Sequence, residues 1–515
     1  MQQGNLGLCQ KCRKKVPADY VLADGKVYLR KDCPDCGPNQ SLVSSDAAAW
    51  RSKRDLWKYD ESKPIHCSMQ CEGCKTPHHP TVMFVDVTNR CNMNCPICIA
   101  NISGMGFEFH PPIDYFEKIF KTIGQFEPTP MIELFGGEPT VREDLIDIIN
   151  LGRKYGLRPR VVTNGLRLAD EAYCKKLCDA RARFRLGLDG RSPEIYTRLR
   201  KNPKAYEKKL KALENLKKYS RRKNAILCCA AKGVNDQHIG DLIECCHENR
   251  DFIDELGLLP LTDNWEPGNY QVETATTPED VEHMVEESVS GGQVEFIPAG
   301  VGQTLRLARS FIKKKARSGT LMFGGVHPNC ESMTVLVSMG QEYRSANHYL
   351  KIPLSRIAEE ILDRGRKLDA KLVHLDPEKR FDRLRAKWLI LKTFGPLILR
   401  SVSLKRVLTS QPLSAWLRVI AGVLTGKKLQ AVVKQHMNLP CLLRVAMLPF
   451  EEYHNIDSAR LSNCKAAFAY VDADDDQVKT IPACVWTHYR NKVLKKASDK
   501  YGIANKTPKE QPVNA

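Results

Sequence analysis

From Arg383 to Pro449 the 515-residue chain contains neither aspartate nor glutamate. Over its whole length 60 acidic residues stand against 79 lysines and arginines, a net charge of +19. Such an imbalance points to an anionic partner, nucleic acid or membrane, against the plain alternative of a soluble basic surface. Aromatic residues are scarce, at 7%. The acid-free segment is aliphatic rather than rich in stacking rings, which argues against nucleic acid. It also lacks any uncharged apolar run near the ~20 residues that span a bilayer. The opening residues, Met1 to Asn5, show neither a charged n-region nor an apolar h-region, so a cytoplasmic protein is expected. Within the acid-free segment Arg385, Lys387, Lys392, Arg400, Lys405, Arg406, Arg418, Lys427, Lys428 and Lys434 punctuate apolar residues such as Trp388, Leu391, Phe394, Trp416 and Ile420. Basic helices with Trp and Leu faces suit a membrane interface, so peripheral contact with the inner face of the membrane is expected.

What the chain has in abundance is cysteine, 20 in all. In a reducing compartment, Cys-x-x-Cys spacing favours metal over disulfides. Cys9-Gln-Lys-Cys12 and Cys33-Pro-Asp-Cys36 flank a hairpin-like stretch from Val21 to Leu29 and match a four-thiolate site. Zinc is the structural default there, and iron in a rubredoxin-like site is the redox alternative. Two triplets of identical spacing follow, Cys67-x3-Cys71-x2-Cys74 and Cys91-x3-Cys95-x2-Cys98. Three thiolates on one loop hold three irons of a four-iron cluster and leave the fourth iron open, whereas electron-transfer cubanes have four protein ligands.

From about residue 80 to 262 strand and helix patterns alternate. Strands are expected at 82–87, 131–135, 160–163, 184–188, 226–231 and 256–261, with amphipathic helices at 113–124, 142–155, 169–180, 204–219 and 238–250. This pattern predicts a parallel α/β sheet, a partial (β/α)6 barrel whose chemistry lies at the C-terminal strand ends. The Cys91 triplet and Gly136-Gly137-Glu138-Pro139 each follow a strand directly. The expected domain plan is a metal knuckle over 1–60, an auxiliary cluster loop over 61–79 and the barrel over 80–262. A mixed α/β extension over 263–370, with a helix near 278–288, comes next. A basic apolar helical segment spans 371–436, a C-terminal auxiliary cluster region 437–490 and a polar tail 491–515, disordered from about Ser498.

The Cys91, Cys95, Cys98 motif, with Ile97 before its last cysteine, and the intact Gly136 to Pro139 motif resemble the radical S-adenosylmethionine (SAM) superfamily. The resemblance implies a [4Fe-4S] cluster on Cys91, Cys95 and Cys98 and SAM chelated by the open iron. Gly136, Gly137 and Pro139 would shape the cofactor site, and Glu138 would accept hydrogen bonds from the SAM amino group. One electron, from a donor such as a flavodoxin or ferredoxin, then yields a 5′-deoxyadenosyl radical that abstracts hydrogen. Asn164 and Asp189, at later strand ends, are the candidates for ribose or carboxylate contacts, with ordinary Asn-Gly and Asp-Gly turns as the alternative.

Cys67, Cys71 and Cys74 lack a preceding strand and a following Gly-Gly-Glu, which makes them an auxiliary site. Cys330, Cys464 and Cys484 are better candidates for its remaining ligands than Cys441, which sits in an apolar run. Two fully thiolate-bound clusters need about eight ligands, so one of them has a non-cysteine ligand or one of these four late cysteines stands apart. Cys174, Cys178, Cys228, Cys229, Cys245 and Cys246 read as core packing.

The order of knuckle, triplet with following His78-His79, barrel and late His327-Pro-Asn-Cys330 is similar to the tetraether lipid synthase group and the related archaeal radical SAM pterin methylases. That resemblance implies modification or coupling of lipid chains at the membrane surface, with one or two auxiliary [4Fe-4S] clusters. The alternatives are a methylase or maturase acting on a small heterocycle or peptide, and a non-enzymatic iron–sulfur electron carrier. The stretch Leu258 to Trp265 lacks the Gln-Pro and Gly-Arg elements expected of close relatives, and Asp472 to Asp476 stands where a glycine turn is expected.

Overall fold

The computed structural model describes residues 4–71, 74, 80–127, 129–263, 274–312, 327–403, 406 and 441–504. An antiparallel sheet opens the chain: β1 (Leu6–Leu8), β2 (Lys15–Ala23), β3 (Lys26–Cys33) and β4 (Gly37–Ser44), in that order. Asp24 and Gly25 turn β2 into β3 with φ of +50° and +71°, a pair of left-handed residues that matches strand twist in a two-residue hairpin. Helix α1 (Ala47–Trp57) follows, its N-terminus capped by Asp46, whose carboxylate accepts from the Ala48 and Ala49 N–H groups.

The barrel comprises β5 (Val82–Thr88), α2 (Ile113–Ile123), β6 (Met131–Gly136), α3 (Leu145–Lys154), β7 (Pro159–Thr163), α4 (Glu171–Asp179) and β8 (Phe184–Gly187). It continues through α5 (Pro193–Arg200), α6 (Ala205–Tyr219), β9 (Asn224–Ala230), α7 (Ile239–Glu248) and β10 (Ile253–Pro260). Six parallel strands thus stand where the alternation expects them. Helix α5 is an addition. Its signal was present in Ser192-Pro193, a serine cap before a proline at the first helical position.

Beyond the barrel come α8 (Pro278–Ser288), β11 (Ile297–Pro298), α9 (Arg306–Ile312), β12 (Ser332–Ser338), β13 (Arg344–Ser345), α10 (Leu354–Leu372) and α11 (Arg380–Ser401). The C-terminal part holds β14 (Cys441–Met447), α12 (Ser458–Ser462), β15 (Ala466–Val471), β16 (Val478–Pro482) and α13 (Ala483–Tyr501). Strand β14 pairs in parallel with β10, and β15 in parallel with β5. The parallel run therefore extends to eight strands, with antiparallel β12 and β16 at its two flanks. The continuation of the basic segment over 407–440 lies outside the described residues. No helix among the described residues is long and apolar enough to cross a membrane.

Two buried polar systems hold the barrel. Across its lumen Arg160 pairs with Glu133, Arg185 with Glu133 at 3.0 Å and with Glu255 at 2.6 Å, and Arg444 with Glu255 at 3.1 Å. Arg160–Glu133 and Arg444–Glu255 join neighbouring strands, whereas Arg185 of β8 reaches across to Glu133 of β6 and Glu255 of β10, so these side chains meet inside the sheet's curve. Burial pushes the Glu255 carboxyl up, but the Arg185, Arg160 and Arg444 guanidiniums hold it down at about 2. The second system centres on Asp86 of β5, which accepts from Trp486 Nε1 at 2.8 Å and from Arg490 Nε and Nη2 at 3.0 and 2.9 Å. Trp486 also stacks on Phe468, and Phe468 on Phe84. Helix α13 is thereby seated on the barrel.

The expectation of disorder from Ser498 is corrected here. Ser498 Oγ donates to the Glu108 carbonyl, Tyr501 packs edge-on against Tyr115, and the Ala504 N–H donates to the His110 carbonyl at 2.8 Å. Polar composition hid a segment ordered by specific partners on the cluster side of the barrel; residues 505–515 lie outside the described residues.

Arg490→Ala should leave the Asp86 carboxylate buried without its countercharge and cost about 3–5 kcal/mol in chemical denaturation. Because Glu255 is depressed in the folded protein, its stabilising contribution is complete above about pH 4.5 and fades as the pH falls towards 2. Urea titrations between pH 5 and 2.5 should show a loss of stability that is shallower in Glu255→Gln.

Candidate active site

Strand β5 ends at Thr88, and the backbone then enters the Cys91 loop. Asn89 shapes that loop: its Nδ2 donates to the Phe107 carbonyl at 2.7 Å, and its Oδ1 accepts from the Phe109 N–H at 2.7 Å. Arg90 pairs with Glu108, and the Thr88 hydroxyl meets His110 Nδ1 at 2.9 Å. Arg490, besides gripping Asp86, donates to the Ala100 carbonyl at 2.8 Å. Both ends of the loop are thus tied to the scaffold, while Cys91 is exposed and Cys95 and Cys98 are half-buried.

The glycines of the second motif meet this loop directly. Gly136 has φ of +128°, and a Cβ there would lie 2.2 Å from the Thr88 carbonyl oxygen. A Cβ on Gly137 would lie 2.2 Å from the Arg90 carbonyl oxygen. In place of side chains are two backbone hydrogen bonds, Gly137 N–H to Thr88 O at 2.7 Å and Glu138 N–H to Arg90 O at 2.9 Å. Glu138 is buried, with Pro139 behind it. Its Oε1 accepts from the Thr140 N–H and hydroxyl and the Thr163 hydroxyl, and its Oε2 accepts from the Asn164 N–H at 2.7 Å. With Oε1 fully used, Oε2 is the oxygen with capacity for an outside donor.

Asn164 spans from this carboxylate to the cysteine loop, its Nδ2 donating to Asn92 Oδ1 at 2.8 Å. Asp189 is fully buried and bound two-fold by Arg200 at 2.8 and 2.8 Å, with the Cys229 N–H as a further donor. The group that reaches the cysteines is therefore Arg200. Burial raises the Cys95 thiol, and Arg200 opposes this by its charge and by a hydrogen bond to the sulfur. Lys209 is a second cation that sequence reading passed over. Its Nζ donates to the Asn164 carbonyl at 2.7 Å and to the Gly187 carbonyl, joining the ends of β7 and β8. Burial brings it down to about 8, with Asp189 opposing the shift and Arg200 reinforcing it. Neither residue stands in a motif, and both look like ordinary basic positions on surface helices.

The donor chemistry separates the other cysteines. Cys9, Cys12, Cys33 and Cys36 bring their sulfurs within 4.8 Å of one another, with Cys12 and Cys33 3.6 Å apart. Bonds of about 2.3 Å to one tetrahedral ion set sulfurs about 3.8 Å apart, so this site fits a single ion. Against the upward push of burial, the Cys12 and Lys11 N–H groups lower the Cys9 thiol to about 6. Among the described residues, the other set of three or more ligand atoms this close is Asp263, Glu452 and His454. There His454 Nε2 lies 3.4 Å from Glu452 and 3.6 Å from Asp263, a polar contact between the end of β10 and the loop after β14.

Cys330 precedes β12, Cys464 precedes β15 and Cys484 follows β16; the Ala467–Pro482 pairing sets the Cys464 and Cys484 ends side by side, and the Ser332–Met447 pairing sets the Cys330 end beside the end of β14, whose following loop reaches Cys484 through Glu451. Beyond the effect of burial, Cys484 and Cys464 raise the Cys330 thiol and Cys464 raises Cys484, and Cys67, Cys74 and Cys464 raise Cys71. The Glu451 N–H donates to Cys484 Sγ at 3.5 Å. Cys441 pairs with Ser338 at the opposite end of β14. Of the six cysteines read as core, Cys174, Cys178, Cys228, Cys245 and Cys246 are buried and Cys229 is partly so.

Comparison with known proteins gives two family matches: the radical SAM superfamily over residues 85–246, and a zinc ribbon described as the HMPTM N-terminal zinc ribbon domain over residues 6–45. The 7,8-dihydro-6-hydroxymethylpterin dimethyltransferase of Methanocaldococcus jannaschii is 32% identical over 273 residues, 51% of this chain and 54% of that protein. The mitochondrial GTP 3′,8-cyclase of Arabidopsis thaliana is 26% identical over 188 residues, 36% of this chain and 47% of that protein. The chain spans about half the length of these curated relatives. Among solved structures, anSMEcpe with bound AdoMet and the Cp18Cys peptide aligns over 45% of this chain and 66% of that one at 21% identity, with a TM-score of 0.33. On their cysteine motif, their glycine-acid motif and these matches, residues 85–246 form a domain of the radical SAM superfamily, with a zinc ribbon ahead of it at residues 6–45.

Proposed function

We propose that the protein is a radical SAM enzyme that abstracts hydrogen from a small, polar, fused-ring nitrogen heterocycle. The substrate class rests on the charged floor of the barrel. Glu133, Arg160, Arg185 and Glu255 offer planar, paired hydrogen-bonding groups beneath the strand ends that carry the cysteine loop and Glu138. Two relatives are named for reactions on a pterin and on GTP, both fused bicyclic rings, which favours the same class. Lipid-chain coupling, the expectation raised by the wider resemblance, has no comparable support.

The donor set on the exposed loop suits a [4Fe-4S] cluster on Cys91, Cys95 and Cys98. With SAM on its open iron, one electron would cleave the sulfonium to methionine and a 5′-deoxyadenosyl radical, which takes a hydrogen atom from a substrate carbon. The chain's own residues orient this chemistry. Gly136 and Gly137 hold the glutamate motif against the cysteine loop, and Glu138 Oε2 has room for an ammonium donor beside Asn164. Arg200 and Lys209 supply positive charge next to Cys95. Cys9, Cys12, Cys33 and Cys36 would hold one zinc or iron ion. Cys67, Cys71, Cys74, Cys330, Cys464 and Cys484 would hold one or two auxiliary clusters.

Anaerobically reconstituted, reduced protein should release 5′-deoxyadenosine from SAM, and a reduced pterin should raise that release at least tenfold. Stimulation by lipid or by peptide, with none by pterins or purines, would overturn the substrate class. Cys95→Ala should abolish the release while the knuckle keeps its ion, measured by elemental analysis. Gly137→Ala, whose methyl would overlap the Arg90 carbonyl, should lower the release by about a hundredfold, the scale expected of a small misplacement at a reacting centre.

A further inference from the structure

Helix α11 has two apolar faces. One, with Ala386, Leu389, Ile390 and Phe394, packs into a small core with Phe311, Leu368 and Leu372 of α9 and α10, and Leu397 is buried on the same side. The other faces away from the protein. Phe381, Leu384, Trp388, Leu391 and Ile398 are 84%, 56%, 58%, 69% and 60% exposed. Their spacing of three and four residues, continued by Gly395, puts them on one stripe about 25 Å long. Five large apolar side chains in line is not the scattered exposure of an ordinary surface.

The charge pattern says what the stripe fits. At 100° per residue, Arg385 and Lys392 border one side of it, and Arg380 and Lys387 the other, all four exposed. The helix carries one acid, Asp382, which is engaged as the acceptor for the Asp376 N–H at 3.1 Å. A second copy of the helix laid along this seam would bring like charges together on both flanks, which disfavours a coiled-coil pairing. An anionic bilayer is complementary throughout, with the stripe entering the acyl boundary and both flanking rows meeting phosphates. The six cations of the helix exclude insertion across the bilayer, so the helix would lie in its plane.

We infer that the outward face of α11 is a docking surface for an anionic membrane, with Phe381, Leu384, Trp388, Leu391 and Ile398 inserted and Arg380, Arg385, Lys387 and Lys392 at the headgroups. This concerns where the protein sits and is independent of its substrate.

The test uses the full chain with its knuckle ion in place and vesicles of phosphatidylcholine alone or with one-third phosphatidylglycerol. The protein should sediment with the anionic vesicles and not with the neutral ones, and raised salt should weaken the binding. The double variant W388E/L391E should bind the anionic vesicles at least tenfold more weakly, with an unchanged melting temperature and knuckle metal content. Equal binding by variant and parent, or no binding by the parent, would overturn the inference. So would a parent dimer that the variant dissociates in light scattering, which would assign the face to a second copy. A lowered melting temperature in the variant would assign it instead to another part of this chain.

Discussion

The contact on which the site depends is the approach of two glycine backbones to the strand beside them. Gly136 and Gly137 lie so close to Thr88 and Arg90 that a single methyl at either position would overlap a carbonyl oxygen at 2.2 Å. The resulting hydrogen bonds join the root of the cysteine loop to the root of the glutamate motif. Everything downstream inherits that spacing. Glu138 is poised beside Thr163 and Asn164, Asn164 reaches back to Asn92, and Lys209 and Arg200 close the ring around Cys95. Glycine is required here by crowding of backbone against backbone, a constraint independent of any bound molecule.

The C-terminal part of the chain acts as a component of the barrel. Strands β14 and β15 extend the parallel sheet at both edges, and α13 inserts Trp486 and Arg490 against Asp86. Arg490 also donates to the Ala100 carbonyl, so one side chain links the barrel interior to the cysteine loop. A buried guanidinium with a two-pronged carboxylate partner is rigid in direction, which suits a group holding a loop that carries metal ligands. The loop after β14 brings Glu451 to Cys484, and Cys464 lies close enough to influence both Cys330 and Cys71.

Two charge patterns divide the molecule. Within the lumen opposite charges neutralise each other over short distances, and Glu255 is held down despite burial by four arginines, Arg185, Arg160, Arg444 and Arg183. On α11 Arg380, Arg385, Lys387 and Lys392 flank an exposed apolar stripe, while Arg400 is paired with Glu360.

The amino-acid sequence by itself determined the features that depend on short spacing. Cys91, Cys95 and Cys98 must share a loop, Cys9, Cys12, Cys33 and Cys36 form paired corners, and six strand–helix alternations give a parallel sheet, because covalent distance and side-chain period leave few alternatives. It also separated Cys441 from the other late cysteines through its apolar surroundings. Only the tertiary structure decided what depends on partners far along the chain. Arg200 and Lys209 became site residues through the ends of β7 and β8. Asp86 found Arg490 across some four hundred positions, and the polar tail was ordered by His110 and Glu108. Period and composition report which face of an element is buried. They carry no record of which distant backbone will arrive there, and that pairing is settled by packing and charge compensation in the folded chain.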